Sequence, residues 1–284
     1  MVPGHEIIGR VAEAGSAVKR FGRGAIVGVG PYVMADETCA LCRRGLESYC
    51  PNVVWTYNDR LKDGSWTQGG YSSRIVVNER FAFRIDPSLP LARVAPLLCA
   101  GITTYSPLKR WQVRRGMQVG VIGLGGLGHM AVKFAAAMGA EVSVFSSTKA
   151  KQSDARRLGA KHFIHASSAS RLQSWENRLD LLLNCTPVAP DFERFLPLLR
   201  VSATFVQLGE PPEDPELPLG AMETRRVTGS VVGGLAETQE MLEYCARKRV
   251  FAEVEVIRLR DINQAWKRVL RRQARYRYVI DLTR

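Results

Sequence analysis

The chain has 284 residues, a length typical of about two domains, and its 46% hydrophobic residues suffice for ordinary cores. It contains no apolar run long enough to span a membrane, and its first residues lack the basic-then-apolar layout of a signal peptide, so we expect a cytoplasmic protein. The net charge of +13 raises the question of nucleic-acid binding. However, the densest basic segment, residues 267–277, lies opposite Ile262, Trp266, Val269 and Leu270 on an apparent helix, which is typical of a solvated face.

Neither nucleic acid nor a membrane is therefore an expected partner, although the positive field could attract an anionic cofactor. The six cysteines favour a metal site or reduced thiols over disulfides, because the chain shows no secretion signal. Cys185 and Cys245 stand among apolar neighbours and are predicted core residues.

The first part of the chain, up to about residue 98, is predicted to be a small all-β domain. Short β-prone runs at residues 7–14, 25–29 and 71–77 alternate with glycine-rich turns. His5, Glu6 and Cys99 also lie in or beside this region. Taken alone, His5 and Cys99 are a lone histidine and a buried thiol, for which a structural role is the better interpretation.

A cysteine-rich segment, residues 36–50, interrupts the β region. Cys39 and Cys42 form a C-x-x-C pair that can place two thiolates on one turn, and Cys50 can join them. Asp36 repeats the three-residue spacing and could supply a fourth, weaker ligand. The segment therefore predicts a structural zinc site, with a metal-free lobe of reduced cysteines as the alternative.

The stretch from residue 118 to 147 predicts a complete βαβ unit. An apolar strand at 118–122 leads directly into the glycine motif G-x-G-x-x-G at 123–128, and a helix at 127–138 is closed by Gly139 before a second strand at 141–145. Gly123 permits the tight turn, Gly125 lets backbone N–H groups approach a pyrophosphate, and Gly128 lets helix and strand pack closely. Gly126 and Leu127 complete a turn that leads into the positive end of the helix, so we predict a dinucleotide site.

The end of the second strand indicates which dinucleotide binds. An NAD site usually carries Asp or Glu there, whereas this chain has Ser146, Ser147 and, a few residues on, Lys151. Hydroxyls and lysines suit a 2′-phosphate, and no carboxylate is present to repel it. NADP is therefore favoured, the alternative being a polar loop with solvated lysines.

Strands and helices continue to alternate beyond this unit, which predicts a parallel, doubly wound sheet. We expect strands at 179–183, 203–208 and 227–232, a helix at 191–200 and a proline-rich loop at 209–220. The tail from residue 238 is predicted to form a helix, a strand at 254–257, a helix capped by Asp261 and a final strand at 276–282.

Motifs along the whole chain resemble those of the zinc-dependent medium-chain alcohol dehydrogenases, and most closely their cinnamyl-alcohol-dehydrogenase-like branch. The resemblance lies in VPGHEIIGRV, GLESYCPN, VWTYNDR, TQGGYSS, APLLCAGITTYSPLKR, GVIGLGGLGHMAVKFA, GSVVGGLAETQEML and RYRYVIDL. It implies an α/β protein, with a GroES-like catalytic domain at 1–99 and 237–284 and an NADP-binding Rossmann domain at 100–236. It also implies an NADP-dependent, zinc-dependent alcohol dehydrogenase or aldehyde reductase for primary, plausibly aromatic, alcohols, and a homodimer formed through 229–234 and its neighbours.

The resemblance also implies roles for individual residues. His5 and Cys99 would be catalytic zinc ligands, with Glu6 as an alternate or neighbouring ligand, and Trp55 would line the substrate pocket. Ser146, Ser147 and Lys151 would hold the 2′-phosphate. Asp36, Cys39, Cys42 and Cys50 would form the structural zinc site, where the family normally has cysteine at the first position.

Family members carry several tens of residues before the VPGHE motif, including another zinc-ligating cysteine and the proton-relay residues, so the resemblance implies a chain truncated at its N-terminus and a GroES-like domain that lacks strands. Two alternatives to a zinc-dependent reductase follow. One is a catalytically impaired NADP-binding fragment; the other is a zinc-free, NADPH-dependent reductase of the quinone-reductase type, against which the cysteine segment and Cys99 argue.

Overall fold

The computed structural model describes residues 1–213, 215–217, 219–222, 224–271 and 273–283. The strands, in chain order, are β1 (Ile7–Arg10), β2 (Ile26–Val29), β3 (Tyr32–Met34), β4 (Val54–Trp55), β5 (Ala82–Arg84), β6 (Gln118–Ile122), β7 (Glu141–Ser146), β8 (His162–His165), β9 (Leu179–Asn184), β10 (Leu199–Gln207), β11 (Arg226–Gly229), β12 (Val254–Arg258) and β13 (Arg277–Asp281). The α-helices are α1 (Leu91–Val94), α2 (Ala100–Arg110), α3 (Gly128–Ala137), α4 (Gln152–Leu158), α5 (Ala169–Gln173), α6 (Phe192–Phe195), α7 (Leu219–Met222), α8 (Leu235–Lys248) and α9 (Ile262–Leu270). Two compact units emerge: Met1–Ile102 with Val232–Arg284, and Thr103–Val231.

The second unit is built on a six-stranded sheet in which every neighbouring pair is parallel. The strand order is β8-β7-β6-β9-β10-β11, so the chain first winds one way from β6 and then returns to the other side of it. This is the predicted doubly wound arrangement. Ligands of such sheets bind beyond the carboxyl ends of the strands where the order reverses, which here lies between β6 and β9.

The apolar runs read from the sequence become the central strands of this sheet. β6 and β9 are buried along almost their whole length, because helices cover both faces of a parallel sheet. A core of aromatic and aliphatic side chains lies against it and includes Phe145, Phe195 and Phe205. The predicted helix at 191–200 is shorter than expected: α6 is followed by a 3-10 turn containing Pro197, and β10 already begins at Leu199.

The first unit contains three small sheets. β1, β2 and β5 form an antiparallel sheet, β3 pairs with β4, and β12 pairs in parallel with β13. The predicted strand at 71–77 is wrong: those residues form an extended segment, and Val76 is almost fully exposed. Glycines at its start make backbone bonds to residues 2–4 instead, and no ladder continues beyond Tyr71.

The segment Val232–Gly234 is fastened to the cysteine-rich lobe of the same unit. Ser48 Oγ donates to the Val232 carbonyl at 2.7 Å, and the Tyr32 hydroxyl donates to the Gly233 carbonyl at 3.2 Å. The buried Glu47 carboxylate accepts the N–H of Leu235 and so caps the start of α8, where a negative charge is favourable. Burial raises the pKa of Tyr32, with the Glu47 carboxylate next in importance.

Two expectations about α9 need correction. Asp261 makes no side-chain capping bond, and its carboxylate pairs with Arg258 at 3.4 Å instead. The apolar side of the helix is only partly covered, since Ala265 is buried whereas Trp266 is 63% and Leu270 is 68% exposed. Positions 214 and 218 of the predicted loop and position 272 of the basic segment lie outside the described residues. None of the described helices is both long and apolar enough to cross a membrane.

Candidate active site and cofactor-binding turn

His5 is positioned by a backbone clasp between residues 2–4 and the two glycines of the TQGGYSS motif. Gly69 N–H donates to the Val2 carbonyl at 2.6 Å, Gly70 N–H to the Gly4 carbonyl at 2.9 Å, and Tyr71 N–H to the Pro3 carbonyl at 2.9 Å. A Cβ on Gly70 would lie 2.4 Å from Ile7 Cγ1, and one on Gly69 2.3 Å from the Gly4 carbonyl oxygen. The close approach therefore requires glycine at both positions.

The clasp brings the imidazole of His5 to the thiol of Cys99, although the two residues are 94 positions apart. The distance from His5 Nε2 to Cys99 Sγ is 3.2 Å. Cys99 directly follows a 3-10 turn whose Leu97 and Leu98 are fully buried, which fixes the thiol against the core. The Tyr57 ring stacks on the imidazole at 5.6 Å between centroids and 9° between planes.

Charge around the pair comes from Glu6 and Arg277. Glu6 Oε1 accepts the N–H of Ala100 at 3.3 Å and lies 3.9 Å from Arg277 Nη1. Burial lowers the pKa of His5; Glu6 opposes this and Arg277 reinforces it. A neutral imidazole keeps a lone pair available for a metal ion. The buried Nε of Arg277 has no hydrogen-bond partner within the described part of the chain, so the guanidinium retains a donor beside this pair.

His5 and Cys99 fit two corners of a zinc site. With Zn–S near 2.3 Å and Zn–N near 2.05 Å, tetrahedral ligands N and S are separated by about 3.5 Å. The observed 3.2 Å is close to that value. A catalytic zinc normally takes three protein ligands and an open position. Across the described residues, His5 and Cys99 do not form a group of three or more potential metal donors, and Glu6 is engaged with Ala100 and Arg277.

The cysteine-rich lobe, in contrast, brings four potential ligands together. The ligand atoms of Asp36, Cys39, Cys42 and Cys50 all lie within 4.8 Å of one another. Cys39 Sγ and Cys50 Sγ are 3.9 Å apart. Two thiolates on one tetrahedral zinc are expected about 3.8 Å apart, so the separation of Cys39 and Cys50 fits such a metal ion.

Backbone N–H groups polarise this lobe. The N–H groups of Cys39 and Thr38 donate to Asp36 Oδ1 at 2.7 and 2.8 Å and lower the pKa of Asp36 to about 2. Burial, together with a bond to Cys39, raises the pKa of Cys42 to about 12. Burial also acts to raise the pKa of Cys50, but N–H groups of Asp36 and Asn52 outweigh it and leave that pKa lowered. Asp36 is therefore both a potential ligand and the cap of the turn that presents Cys39.

The glycine turn after β6 has the geometry of a dinucleotide-binding turn. Gly123 has a φ of +83°, which side chains rarely tolerate, and a Cβ on Gly128 would lie 1.9 Å from the Gly123 carbonyl oxygen. A Cβ on Gly125 would meet no described atom within 4 Å, so internal packing does not explain that glycine. Gly126 and Leu127 lead into α3, where the N–H groups of His129 and Ala131 donate to the carbonyls of Gly125 and Leu127, both at 3.0 Å, and the positive end of this helix suits a phosphate.

Ser146, Ser147 and Lys151 lie together just past β7. Ser146 ends the strand and is buried, with its Oγ accepting the Thr148 N–H at 3.2 Å, whereas Ser147 is exposed. Lys151 Nζ donates to the carbonyl of Leu124 in the glycine turn at 2.8 Å. The lysine thus connects this loop to the turn, and its ammonium lies between the two segments predicted to bind phosphates.

Trp55 is at the end of β4, 37% exposed, and its ring meets Tyr32 edge to face. Tyr57, which neighbours His5, and Arg277, which neighbours Glu6, were not predicted from the sequence. Tyr57 stands in the motif VWTYNDR and Arg277 in RYRYVIDL, so both segments were singled out without these two side chains being identified. Cys185 and Cys245 are buried as predicted, and none of the six cysteines, all within the described residues, is in a disulfide.

Comparisons with known proteins agree with this architecture. The family model for the alcohol dehydrogenase GroES-like domain matches residues 1–87, and the model for zinc-binding dehydrogenases matches residues 126–247. An NADP-dependent alcohol dehydrogenase C 1 of Mycolicibacterium smegmatis is 48% identical over 99% of this chain and 82% of its own length.

Solved structures of cinnamyl alcohol dehydrogenases share the fold of this chain. A cinnamyl alcohol dehydrogenase of Sorghum bicolor superposes with a TM-score of 0.97 at 40% identity, covering 99% of this chain and 82% of that one. A cinnamyl alcohol dehydrogenase of Helicobacter pylori complexed with NADP(H) gives a TM-score of 0.94 at 41% identity, covering 100% and 82%. The chain therefore belongs to the zinc-binding alcohol dehydrogenase family, in its NADP-dependent, cinnamyl-alcohol-dehydrogenase-like branch of oxidoreductases.

Proposed function

We propose that this oxidoreductase transfers hydride between NADPH and an aldehyde, with a primary alcohol as the reduced product, and that it depends on zinc held by His5 and Cys99. The observation that carries the proposal is the meeting of these two side chains at 3.2 Å across 94 residues of sequence. Nitrogen and sulfur are the donors that zinc prefers, and the His5 pKa is lowered by burial, which favours the ligating form. Glu6 would act as an alternate or neighbouring ligand.

Each group then has a definite task. When bound, NADPH supplies the hydride and zinc supplies Lewis acidity at the carbonyl oxygen. The glycine turn and the positive end of α3 would hold the pyrophosphate, and Gly123, Gly125 and Gly128 would let it approach. Tyr57 supports the His5 ring through stacking. Trp55 and Tyr57 lie on the same segment and together offer an aromatic surface, which favours aromatic aldehydes as substrates.

The choice of NADPH over NADH depends in this proposal on Ser146, Ser147 and Lys151. Hydroxyl and ammonium groups donate to a 2′-phosphate, and an anionic phosphate receives stronger hydrogen bonds than a ribose hydroxyl does. The ammonium of Lys151 donates to the Leu124 carbonyl and would exchange or share that hydrogen bond when it binds the phosphate.

A second, structural zinc is proposed for Asp36, Cys39, Cys42 and Cys50. Four potential ligand atoms within 4.8 Å of one another support it, with Asp36 as the weakest because a carboxylate is a harder donor than a thiolate. The lobe also carries Glu47 and Ser48, which fasten Val232 and Leu235, so a metal ion there would stabilise the first unit.

A catalytically impaired NADP-binding chain is the second candidate. It is favoured by one observation: the described residues bring two donors together at His5 and Cys99, whereas a catalytic zinc normally takes three. The two candidates differ in turnover and agree in cofactor binding. A zinc-free reductase differs from both, because its turnover would survive chelation.

The deciding experiment follows NADPH absorbance with cinnamaldehyde as substrate and NADH as the cofactor control. The proposal predicts turnover with NADPH, at most a small rate with NADH, and loss of activity after treatment with a zinc chelator that is reversed by added zinc. Binding of NADPH without turnover would instead establish the impaired chain. Turnover that resists the chelator would establish the zinc-free reductase.

We also propose that the unit 103–231 is the NADP-binding domain, that the other unit is the catalytic domain, and that the protein is a cytoplasmic homodimer. β11 ends the six-stranded sheet, so one edge of that strand has no neighbour in the sheet described here. An edge strand can pair with its copy in a symmetric dimer. Light scattering after gel filtration should give twice the 31.5 kDa chain mass, and a mass of one chain would reject the dimer.

A further inference from the structure

The loop that follows β7 is held by the neighbouring strand through both of its first two carbonyl groups. The Ser146 carbonyl accepts the backbone N–H of Ala166 at 3.0 Å. The Ser147 carbonyl lies 3.0 Å from Nε2 of His165, the last residue of β8. A carbonyl oxygen can only accept a hydrogen bond, so His165 Nε2 must carry the proton.

The order of the strands shows on which side of β7 these contacts lie. β7 lies between β6 and β8, and Ser146 pairs with His165 in the register of the two strands. The glycine turn follows β6, on one side of β7, and Lys151 reaches across to it through the Leu124 carbonyl. His165 is on the other side. The Ser147 carbonyl is therefore bound on the side away from the glycine turn.

This direction matters electrostatically. A carbonyl oxygen beside a 2′-phosphate would repel it, whereas hydroxyl and N–H groups attract it. Because the imidazole engages the Ser147 carbonyl from β8, that oxygen is held on the side away from the glycine turn, and the N–H of the same peptide, that of Thr148, donates to Ser146 Oγ at 3.2 Å. The backbone bond from Ala166 binds the Ser146 carbonyl in the same way, but any residue other than proline could supply it. The hydrogen bond to the Ser147 carbonyl, in contrast, requires a side chain at position 165 that is long enough to place an N–H beside that oxygen.

We infer that His165 is a positioning residue for NADPH selectivity: its imidazole holds the Ser147 carbonyl away from the 2′-phosphate, which the hydroxyls of Ser146 and Ser147 and the ammonium of Lys151 would bind. The inference rests on the proposed role of Ser146, Ser147 and Lys151. His165 itself needs no contact with the cofactor, and it is not a catalytic residue.

The test measures binding of two fragments, 2′,5′-ADP and 5′-AMP, by calorimetry to the full chain, because they differ only in the 2′-phosphate. His165→Phe removes the N–H and keeps a flat ring. It should weaken 2′,5′-ADP binding roughly three- to tenfold, the value of one hydrogen bond, and leave 5′-AMP within about twofold. His165→Gln places an amide N–H near the position of Nε2 and should restore most of the affinity for 2′,5′-ADP.

His162→Phe is the matched control, because it removes a histidine from the other end of β8, where the imidazole bonds Glu141 at 2.8 Å. It should leave the ratio of the two affinities unchanged. Thermal unfolding of each variant checks that it is folded.

Three results would overturn the inference: unchanged 2′,5′-ADP binding in His165→Phe, equal weakening of both fragments, or His165→Gln behaving like His165→Phe. The proposed 2′-phosphate site is tested separately by the wild-type protein. If the wild type does not bind 2′,5′-ADP more tightly than 5′-AMP, the site itself is rejected. Preference in the wild type with no effect of His165→Phe would reject only the role of His165.

Discussion

The two candidate metal sites of the first unit differ in how the sequence brings their ligands together. In the cysteine-rich lobe, Asp36 and Cys50 are 14 residues apart, and short turns deliver all four donors. At the other site, His5 and Cys99 are 94 residues apart, and their meeting depends on a glycine clasp and a buried 3-10 turn. A locally formed site can be nearly complete before the rest of the unit packs. A distributed site exists only when the unit is folded.

Removal of Cys99 should have the largest effect on activity and should separate the two sites. Cys99→Ser takes away one of two donors, so we expect aldehyde reduction to fall by at least about 100-fold. The zinc of the lobe should stay bound, because none of its ligands is touched. Steady-state kinetics with NADPH, together with zinc content by mass spectrometry, measure both. Activity within tenfold of the wild type would contradict the proposed role of Cys99.

Removal of Cys39 should affect the zinc site of the lobe and leave the His5–Cys99 pair intact. Cys39→Ser leaves the lobe with a poor ligand set and should release its zinc, lowering the free energy of unfolding by about 2–4 kcal/mol. NADPH binding should be retained in the folded protein, because the cofactor residues lie in the other unit. Denaturant unfolding with and without added zinc measures the effect. If Cys39→Ser and wild type unfold alike in zinc, the lobe holds no structural metal.

The clasp that positions His5 can be perturbed without touching a ligand. Gly70→Ala places a Cβ 2.4 Å from Ile7 Cγ1 and should strain the clasp by about 1–3 kcal/mol. We expect kcat to fall roughly tenfold with NADPH binding unchanged, because a misplaced ligand affects only the distributed site. Gly15→Ala is the control, since its Cβ would meet no described atom within 4 Å. Equal activity of both variants would show that the clasp does not set the geometry of His5.

The smallest effect is expected at Asp36, which tests the weakest ligand of the local site. Asp36→Cys supplies a fourth thiolate and should tighten zinc binding by about tenfold. Asp36→Asn keeps an oxygen that can accept from Cys39 and Thr38 but removes the anionic ligand, so it should weaken binding. Competition with a chromophoric chelator measures both. Equal affinities for all three proteins would mean that Asp36 only caps the turn.

The same contrast explains what could be predicted from the sequence. The glycine turn, the strands β6 and β7 and the cysteine spacing are local patterns with a direct physical reading, and the structure has each of them where it was expected. His5 and Cys99 gave no local signal and were identified only through the resemblance of whole motifs. Tyr57 and Arg277 were missed because their importance comes from contacts across the fold.

The errors in the predicted secondary structure also come from contacts between residues far apart in the sequence. Residues 71–77 end in a β-prone run, but the bonds of Gly69, Gly70 and Tyr71 to residues 2–4 direct the chain away from the sheets. The sequence pattern correctly identified the apolar side of helix α9. The exposure of Trp266 shows, however, that such a pattern does not tell how much of that side is covered by other residues. His165 illustrates the limit most sharply, because its contact with the Ser147 carbonyl depends on strand order.

The most direct test of the account is a stepwise removal of zinc while NADPH-dependent reduction of cinnamaldehyde is followed on the same sample. The lobe offers four ligands and the His5–Cys99 pair only two donors, so we expect activity to disappear with the first, weakly held zinc. The second, tightly held zinc should remain on an inactive but folded protein. Undiminished turnover after both zinc ions have been removed would contradict the account.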